Sequence, residues 1–402
     1  MDVDIERRIS ISKMPIILDV SLCILFIVTS VFIYMRTQTY NVLALLVPLT
    51  VAIIDPLFAT SVAIGSRSKK ALYAVYIISI ALFICSIATV IYLLYSLRSI
   101  GFASKIINSH IAIVYLLGVI ILAYIGNIFI EKLCGDLYWR VGRIISEDLI
   151  TVIYVSAIGL IGPSIAFFGV KKLDSYLAVL TILVSLIPVT GKFKALLSIR
   201  KIKEFNQNVQ SGVSSWLSNI PIIKHFDRPD VWSAWLFSHV SLSVDVSRVI
   251  VGRENDLIDV IAIPLIDTIG TLCCLDISIR YTDSYDIFVA IPTEDEMNVG
   301  KGLTNKFVIA KLDPIDFSLK EKEKKTIEIV SELADSDIIK GLVKYSVDVL
   351  CLRDSEERIR NLANGWMMKV VNIKSQKIDD AINEVIDILR KEYVKEKADI
   401  LK

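Results

Sequence analysis

Six apolar stretches fill the first half of this chain, and they constrain its fold more than any other feature. They cover residues 14–35, 42–64, 71–97, 111–130, 149–170 and 174–196. A helix rises 1.5 Å per residue, so about 20 apolar residues cross a hydrocarbon core of roughly 30 Å. In that setting the backbone must satisfy its own hydrogen bonds, which leaves helices or closed barrels as the solutions. Runs of this length read as helices. The first is too long for a signal-peptide core, and no small-residue cleavage site follows it.

Charge divides the chain at the same place. Residues 1–204 hold 19 Lys and Arg against 11 Asp and Glu, net +8, whereas residues 205–402 are net −7. With 54% hydrophobic residues and a mean hydropathy of +0.60, the whole is too apolar for a single soluble globule or a disordered chain. An acidic second half argues against nucleic acid as a partner.

Orientation follows from the basic residues between spans. Arg7, Arg8, Lys13, Arg67, Lys69, Lys70, Lys132, Arg140, Arg143, Lys192, Lys194, Arg200, Lys201 and Lys203 fall on one side. Arg36, Arg98, Lys105, Lys171 and Lys172 fall on the other. The expected protein is therefore a multi-pass protein of the cell membrane, with both termini cytoplasmic and the lipid bilayer as its surroundings. The six cysteines Cys23, Cys85, Cys134, Cys273, Cys274 and Cys351 are then reduced, structural thiols. Cys273 and Cys274 are strand neighbours that point to opposite faces, so one metal ion does not take both.

The expected fold is an α-helical membrane bundle over 1–204, a juxtamembrane amphipathic connector over 205–256 and a cytoplasmic α/β domain over 257–402. In the connector, 207–217 and 231–240 read as helical, and Trp216, Trp232 and Trp235 suit the headgroup region. Beyond it, 260–264, 272–281, 287–292, 307–312, 347–352 and 369–373 read as strands, and 324–344 and 378–393 as helices. Asp354 with Glu357 forms a capping box for a further helix.

Ionisable groups inside spans are functional candidates. Asp55 lies well inside the second span, before Pro56, and is the leading candidate for a cation or proton site. Asp19 is one turn into the first span and either snorkels or pairs. Asp174 opens the sixth span at the interface, and His110 sits at the edge of the fourth. In the connector, His225 and Asp227, with Asp230 and His239, have the residue types of a zinc site. Thr293-Glu-Asp-Glu296 reads as a solvated acidic turn. No nucleophile–base context and no phosphate-binding glycine loop supports an enzyme, since Gly300-Lys-Gly302 is too short.

Two stretches resemble known families. Val141-Gly-Arg-Ile-Ile-Ser146-Glu-Asp-Leu149, Val170-Lys-Lys-Leu-Asp174-Ser and the second span with Asp55 resemble the cation diffusion facilitator family over about 14–200. The resemblance implies a homodimeric divalent-metal/proton antiporter moving Zn, Mn or Fe as substrate. It also implies four ligands, two each on the second and fifth spans, at positions occupied here by Val51, Asp55, Val155 and Gly159. From about 285, Phe288-Val-Ala-Ile-Pro-Thr-Glu-Asp295, Lys306-Phe-Val-Ile-Ala and the 341–350 stretch resemble the dinitrogenase iron–molybdenum cofactor carrier domain. That implies a ribonuclease H-like mixed sheet. The position of its cluster-binding histidine reads Leu303-Thr-Asn-Lys-Phe307. The leading expectation is a divergent metal transporter. The alternative is a non-transporting membrane anchor for a sensor or interaction domain.

Overall fold

The computed structural model describes residues 4–63, 69–99, 107–170, 172–196, 199–282, 285–293, 303–320, 324–331, 335–353 and 357–400. It opens with a strand, β1 (Asp4–Ser10), and then a helical bundle. The bundle comprises α1 (Lys13–Thr37), α2 (Tyr40–Ala44), α3 (Leu46–Ala52), α4 (Ile54–Ala63), α5 (Lys69–Ser99), α6 (Ser109–Cys134), α7 (Trp139–Phe167) and α8 (Lys172–Leu196). Six helical segments are long and apolar enough to cross a membrane, with α2, α3 and α4 acting as one broken span.

That broken span is the centre of the bundle. Its most apolar window is 83% buried, against 28–44% for the other five. The outer spans present rows of exposed Ile, Leu, Val and Tyr, as helices facing lipid do. The break at Ile53 has a local cause. Pro56 has no N–H to return to the Ala52 carbonyl, so the ladder stops and restarts with Asp55 in the first turn of α4. A carboxylate there also faces the positive end of the new helix.

Two five-stranded sheets follow the bundle. After α9 (Ile199–Leu217) come β2 (Ile223–Phe226), β3 (Asp230–Ala234), β4 (Phe237–Ser247), α10 (Glu254–Thr268) and β5 (Leu272–Thr282). The first sheet has the order β1-β5-β4-β2, with β3 pairing the other end of β4 along the same edge. The β4–α10–β5 unit is a parallel crossover. The second sheet takes β6 (Ile287–Pro292), β7 (Leu303–Leu312), β8 (Lys325–Ser331), β9 (Val349–Leu352) and β10 (Lys369–Asn372). Its order is β10-β9-β6-β7-β8, antiparallel across β6, β7 and β8 and parallel across β6, β9 and β10. Helices α11 (Asp335–Lys344), α12 (Glu357–Gly365) and α13 (Ile378–Ile400) complete it.

Several stretches fold differently from their sequence reading. The connector carries three strands, and in the longest of them Ser241–Val246 alternates half-buried and buried residues, a period of two. Residues 260–264 lie inside helix α10, where Leu257, Ile258, Ile261, Leu265 and Ile266 repeat at helical spacing. The 324–344 stretch splits into β8 and α11, since Thr326–Val330 alternates exposed and buried residues and Asp335 and Asp337 begin the helix. The basic N-terminal tail is a strand, placed beside β5 with Arg8 opposite Asp276 and Ser10 opposite Cys274. This makes β1 an edge strand of the first sheet. Thr293-Glu-Asp-Glu296 beyond Thr293, Gly300-Lys-Gly302 and Asp354 lie outside the described residues.

A buried ion pair joins the sheets. Lys224 Nζ on β2 lies 2.5 Å from Asp348 Oδ1, and Asp348 Oδ2 accepts the Phe288 N–H at 3.0 Å. Burial is the largest influence on the Asp348 carboxyl and raises it above the usual range, while Lys224 and the Phe288 N–H pull the other way.

Candidate functional site

The second span carries Asp55 into the interior, where the residue is 3% exposed. It does not wait there for a cation. Lys192 Nζ, from α8, lies 3.0 Å from Asp55 Oδ2. The same ammonium takes Asp148, on α7, at 2.5 and 2.6 Å to its two oxygens. The Val51 carbonyl stands 3.5 Å away, at the break between α3 and α4. One lysine thus gathers two carboxylates and a backbone oxygen from the second and fifth spans. These charge-assisted bonds are stronger than neutral ones and gain further from the low dielectric.

The other Asp55 oxygen is closed from outside the bundle. Trp235 Nε1 donates to Asp55 Oδ1 at 2.5 Å, and its ring stacks on Phe58 with centroids 5.4 Å apart and planes 6° from parallel. Trp235 is the tip of the β3–β4 hairpin, between the paired residues Ala234 and Phe237, and has φ +63°. A bulky residue in the left-handed region costs about 1–2 kcal/mol. Its contacts with Asp55 and Phe58 hold it there. The first sheet therefore inserts an aromatic plug into the mouth of the bundle.

Asp19 lies near this cluster and is fully buried, and neither of its oxygens has a hydrogen-bond partner. It interacts electrostatically with both Lys192 and Asp55. The bundle's far end is held by a separate polar contact. Asn41 Nδ2 donates to Asp174 Oδ1 at 2.5 Å and to the Asp174 carbonyl at 3.0 Å, and Thr181 Oγ1 donates to Asn41 Oδ1 at 2.9 Å. Asp174, in the first turn of α8, is thus buried against other helices, in space left by Gly162. His110 is exposed at the start of α6.

The pair read as a zinc site in the connector is arranged differently. His225 Nε2 and Asp227 Oδ1 are 4.0 Å apart on half-exposed side chains. Arg280 Nη2 takes Asp227 at 3.0 Å while its Nε takes Asp245 at 2.7 Å, so a guanidinium holds that carboxylate. His239 faces another way. On the first sheet it sits beside Cys274 in register, and Asp276 lies two residues on, on the same face.

Among the described residues, His239, Cys274 and Asp276 form the one cluster with the ligand types and spacing of a metal site, all ligand atoms within 4.8 Å of one another. His239 Nε2 to Asp276 Oδ2 is 3.0 Å, and Cys274 Sγ to Asp276 Oδ1 is 3.8 Å. Tetrahedral zinc with ordinary bond lengths needs about 3.3 Å for N···O and about 3.5 Å for S···O. The His239–Asp276 and Cys274–Asp276 separations are each within a few tenths of an ångström of these, to different oxygens of the carboxylate, and the nitrogen and sulfur lie within 4.8 Å of each other. Arg8 Nε lies 3.6 Å from Asp276 Oδ1, and its Nη2 donates to the Ala63 carbonyl at the end of α4 at 2.9 Å. Cys273 points into the core instead, and burial pushes its thiol up.

Sequence reasoning missed Lys192, Asp148, Trp235 and Cys274 as members of sites. Lys192 counts there as an orientation charge and Asp148 as a loop residue, yet both lie in helices that enter the bundle. Neither a protein-family model nor a curated protein matches the chain.

Proposed function

We propose that this protein is a membrane-anchored, divalent-metal-binding sensor whose six-span bundle does not transport. The single observation that carries this reading is the Lys192 ammonium. It pairs with Asp55, the one ligating side chain left at the four positions that the cation diffusion facilitator resemblance implies. Val51, Val155 and Gly159 supply no side-chain ligands there, and the one carboxylate left, Asp55, is neutralised from within. Trp235 closes the same mouth. The metal-ligand set instead lies in the extramembrane first sheet, on the cytoplasmic side by the count of basic residues.

The second sheet supports the rest of the resemblance. Three antiparallel strands followed by two parallel ones, with helices after the third and fourth, is the arrangement a ribonuclease H-like cofactor-carrier domain implies. A metal at His239, Cys274 and Asp276 would be held by nitrogen, sulfur and one carboxylate oxygen, with Arg8 keeping the other carboxylate oxygen in place. Three protein ligands leave one position open. Because Arg8 also caps α4, the span that carries Asp55, occupancy of the metal site has a direct mechanical route into the bundle.

Equilibrium dialysis of the purified full chain against Zn²⁺ tests this. About one ion per chain is expected, from three ligands on one sheet face. It should be lost in His239→Ala and Cys274→Ser and kept in Asp55→Asn. Zinc lost on Asp55→Asn and kept without His239 would overturn the assignment.

One observation favours the transport reading instead. Asp19 is a carboxylate without any hydrogen-bond partner inside the bundle, and such a group is relieved by a visiting proton or cation. In that reading Lys192 is a resident counter-ion that the substrate cation displaces, and the protein is a divergent proton-coupled metal antiporter working as a homodimer.

A further inference from the structure

Helices α9 and α10 flank a groove of about 600 Å³. Phe205, Val209, Val213 and Trp216 line one wall, a single stripe at helical spacing, and Pro264, Leu265 and Ile269 line the other. A second hollow of about 430 Å³ continues it past Trp216 and Pro264 to Trp366. This volume lies in the range of small-molecule sites. We propose that the groove holds an acyl chain of an anionic bilayer lipid.

Position is the first argument. The groove opens where both of its helices meet the bundle. Helix α9 starts at Ile199, just after α8 ends at Leu196. The end of α10 is clamped by Arg140, from the first turn of α7, which donates to the Asp267 carbonyl and pairs with its carboxylate at 3.5 Å. Trp139 beside it is exposed, as an aromatic at the headgroup level is. The mouth is therefore level with the lipid headgroups, and a chain can enter from the bilayer without crossing water. Charge is the second argument. Arg140 stands at this mouth, and Lys203, in the first turns of α9, is exposed. Basic residues at the surface of a bilayer draw anionic headgroups.

Gly212 points the same way. It lies in the interior of α9 and lines the groove, and a Cβ built there meets nothing within 4 Å. Glycine weakens a helix interior, and neither close packing nor a positive φ calls for it here. What its missing side chain does is keep the groove floor open. The proposal depends on the chain being a membrane protein and is independent of whether the first sheet binds a metal.

The test uses the full chain in phosphatidylcholine nanodiscs containing phosphatidylglycerol brominated on its acyl chains, since bromine quenches tryptophan emission by contact. The difference between the wild type and Trp216→Phe isolates the Trp216 signal. Most of that signal is expected to be lost, and Gly212→Phe, which fills the groove, is expected to restore it. Brominated phosphatidylcholine at the same content should quench it less. An unquenched Trp216, or quenching unchanged in Gly212→Phe, would overturn the site. Equal quenching by the two lipids would overturn its anionic preference.

Discussion

Replacing Lys192 by methionine is expected to cost the folded bundle about 3–5 kcal/mol, the usual penalty for stripping a buried charge of its partner. Two carboxylates lose their counter-ion at once, Asp55 at 3.0 Å and Asp148 at 2.5 Å. Both side chains are buried. The variant should melt far below wild type in detergent and form aggregates on size exclusion. The triple change Lys192→Met with Asp55→Asn and Asp148→Asn should recover most of the loss, because replacing all partners removes the uncompensated charge. A single Lys192→Met variant that melts like wild type would show that the three groups do not form one cluster.

Trp235→Ala is expected to cost about 3–5 kcal/mol, the range for emptying a buried aromatic site. The loss has three parts: the stack on Phe58, the bond to Asp55, and the apolar area closed at the bundle mouth. Part of it is offset, because alanine tolerates the left-handed turn no worse than tryptophan does. The readout that separates docking from general stability is limited proteolysis. In the variant the β3–β4 hairpin should be cut much faster than the loops of the second sheet. Trp235→Phe keeps the stack and loses the N–H, so it should fall between the two. Equal cleavage of wild type and Trp235→Ala would show that the plug does not hold the first sheet to the bundle.

The bundle was legible because its signal is long-range and redundant: six apolar runs and a change in charge at one point of the chain. The helix ends were less so. Helix α7 begins ten residues before the apolar run at 149, because Arg140, Arg143, Glu147 and Asp148 interrupt hydropathy while leaving helix propensity intact. That shift hid Asp148. Lys192 was hidden by the same rule turned around, since a lysine near a span end counts toward topology and only tertiary packing shows that it faces inward.

The first sheet was the hardest part to read. Its five strands come from both ends of the chain, with β1 before the bundle and β2 to β5 after it. No local pattern predicts that Arg8 will lie against Asp276. The candidate metal cluster has the same origin. His239 and Cys274 lie on separate strands, brought together by the β4–α10–β5 crossover, and short-range ligand spacing pointed instead to His225 and Asp227. The second sheet was easier. Most of its strands have alternating or fully apolar runs of ordinary length, and only the split of 324–344 into strand and helix needed the structure.

Flux measured in proteoliposomes reaches the central claim most directly. With an imposed proton gradient and Zn²⁺, Mn²⁺ or Fe²⁺ outside, vesicles carrying the wild-type chain should take up no more metal than empty vesicles. Gradient-driven uptake by the wild type, lost in Asp55→Asn or Asp19→Asn, would contradict an ion site filled by the protein's own ammonium.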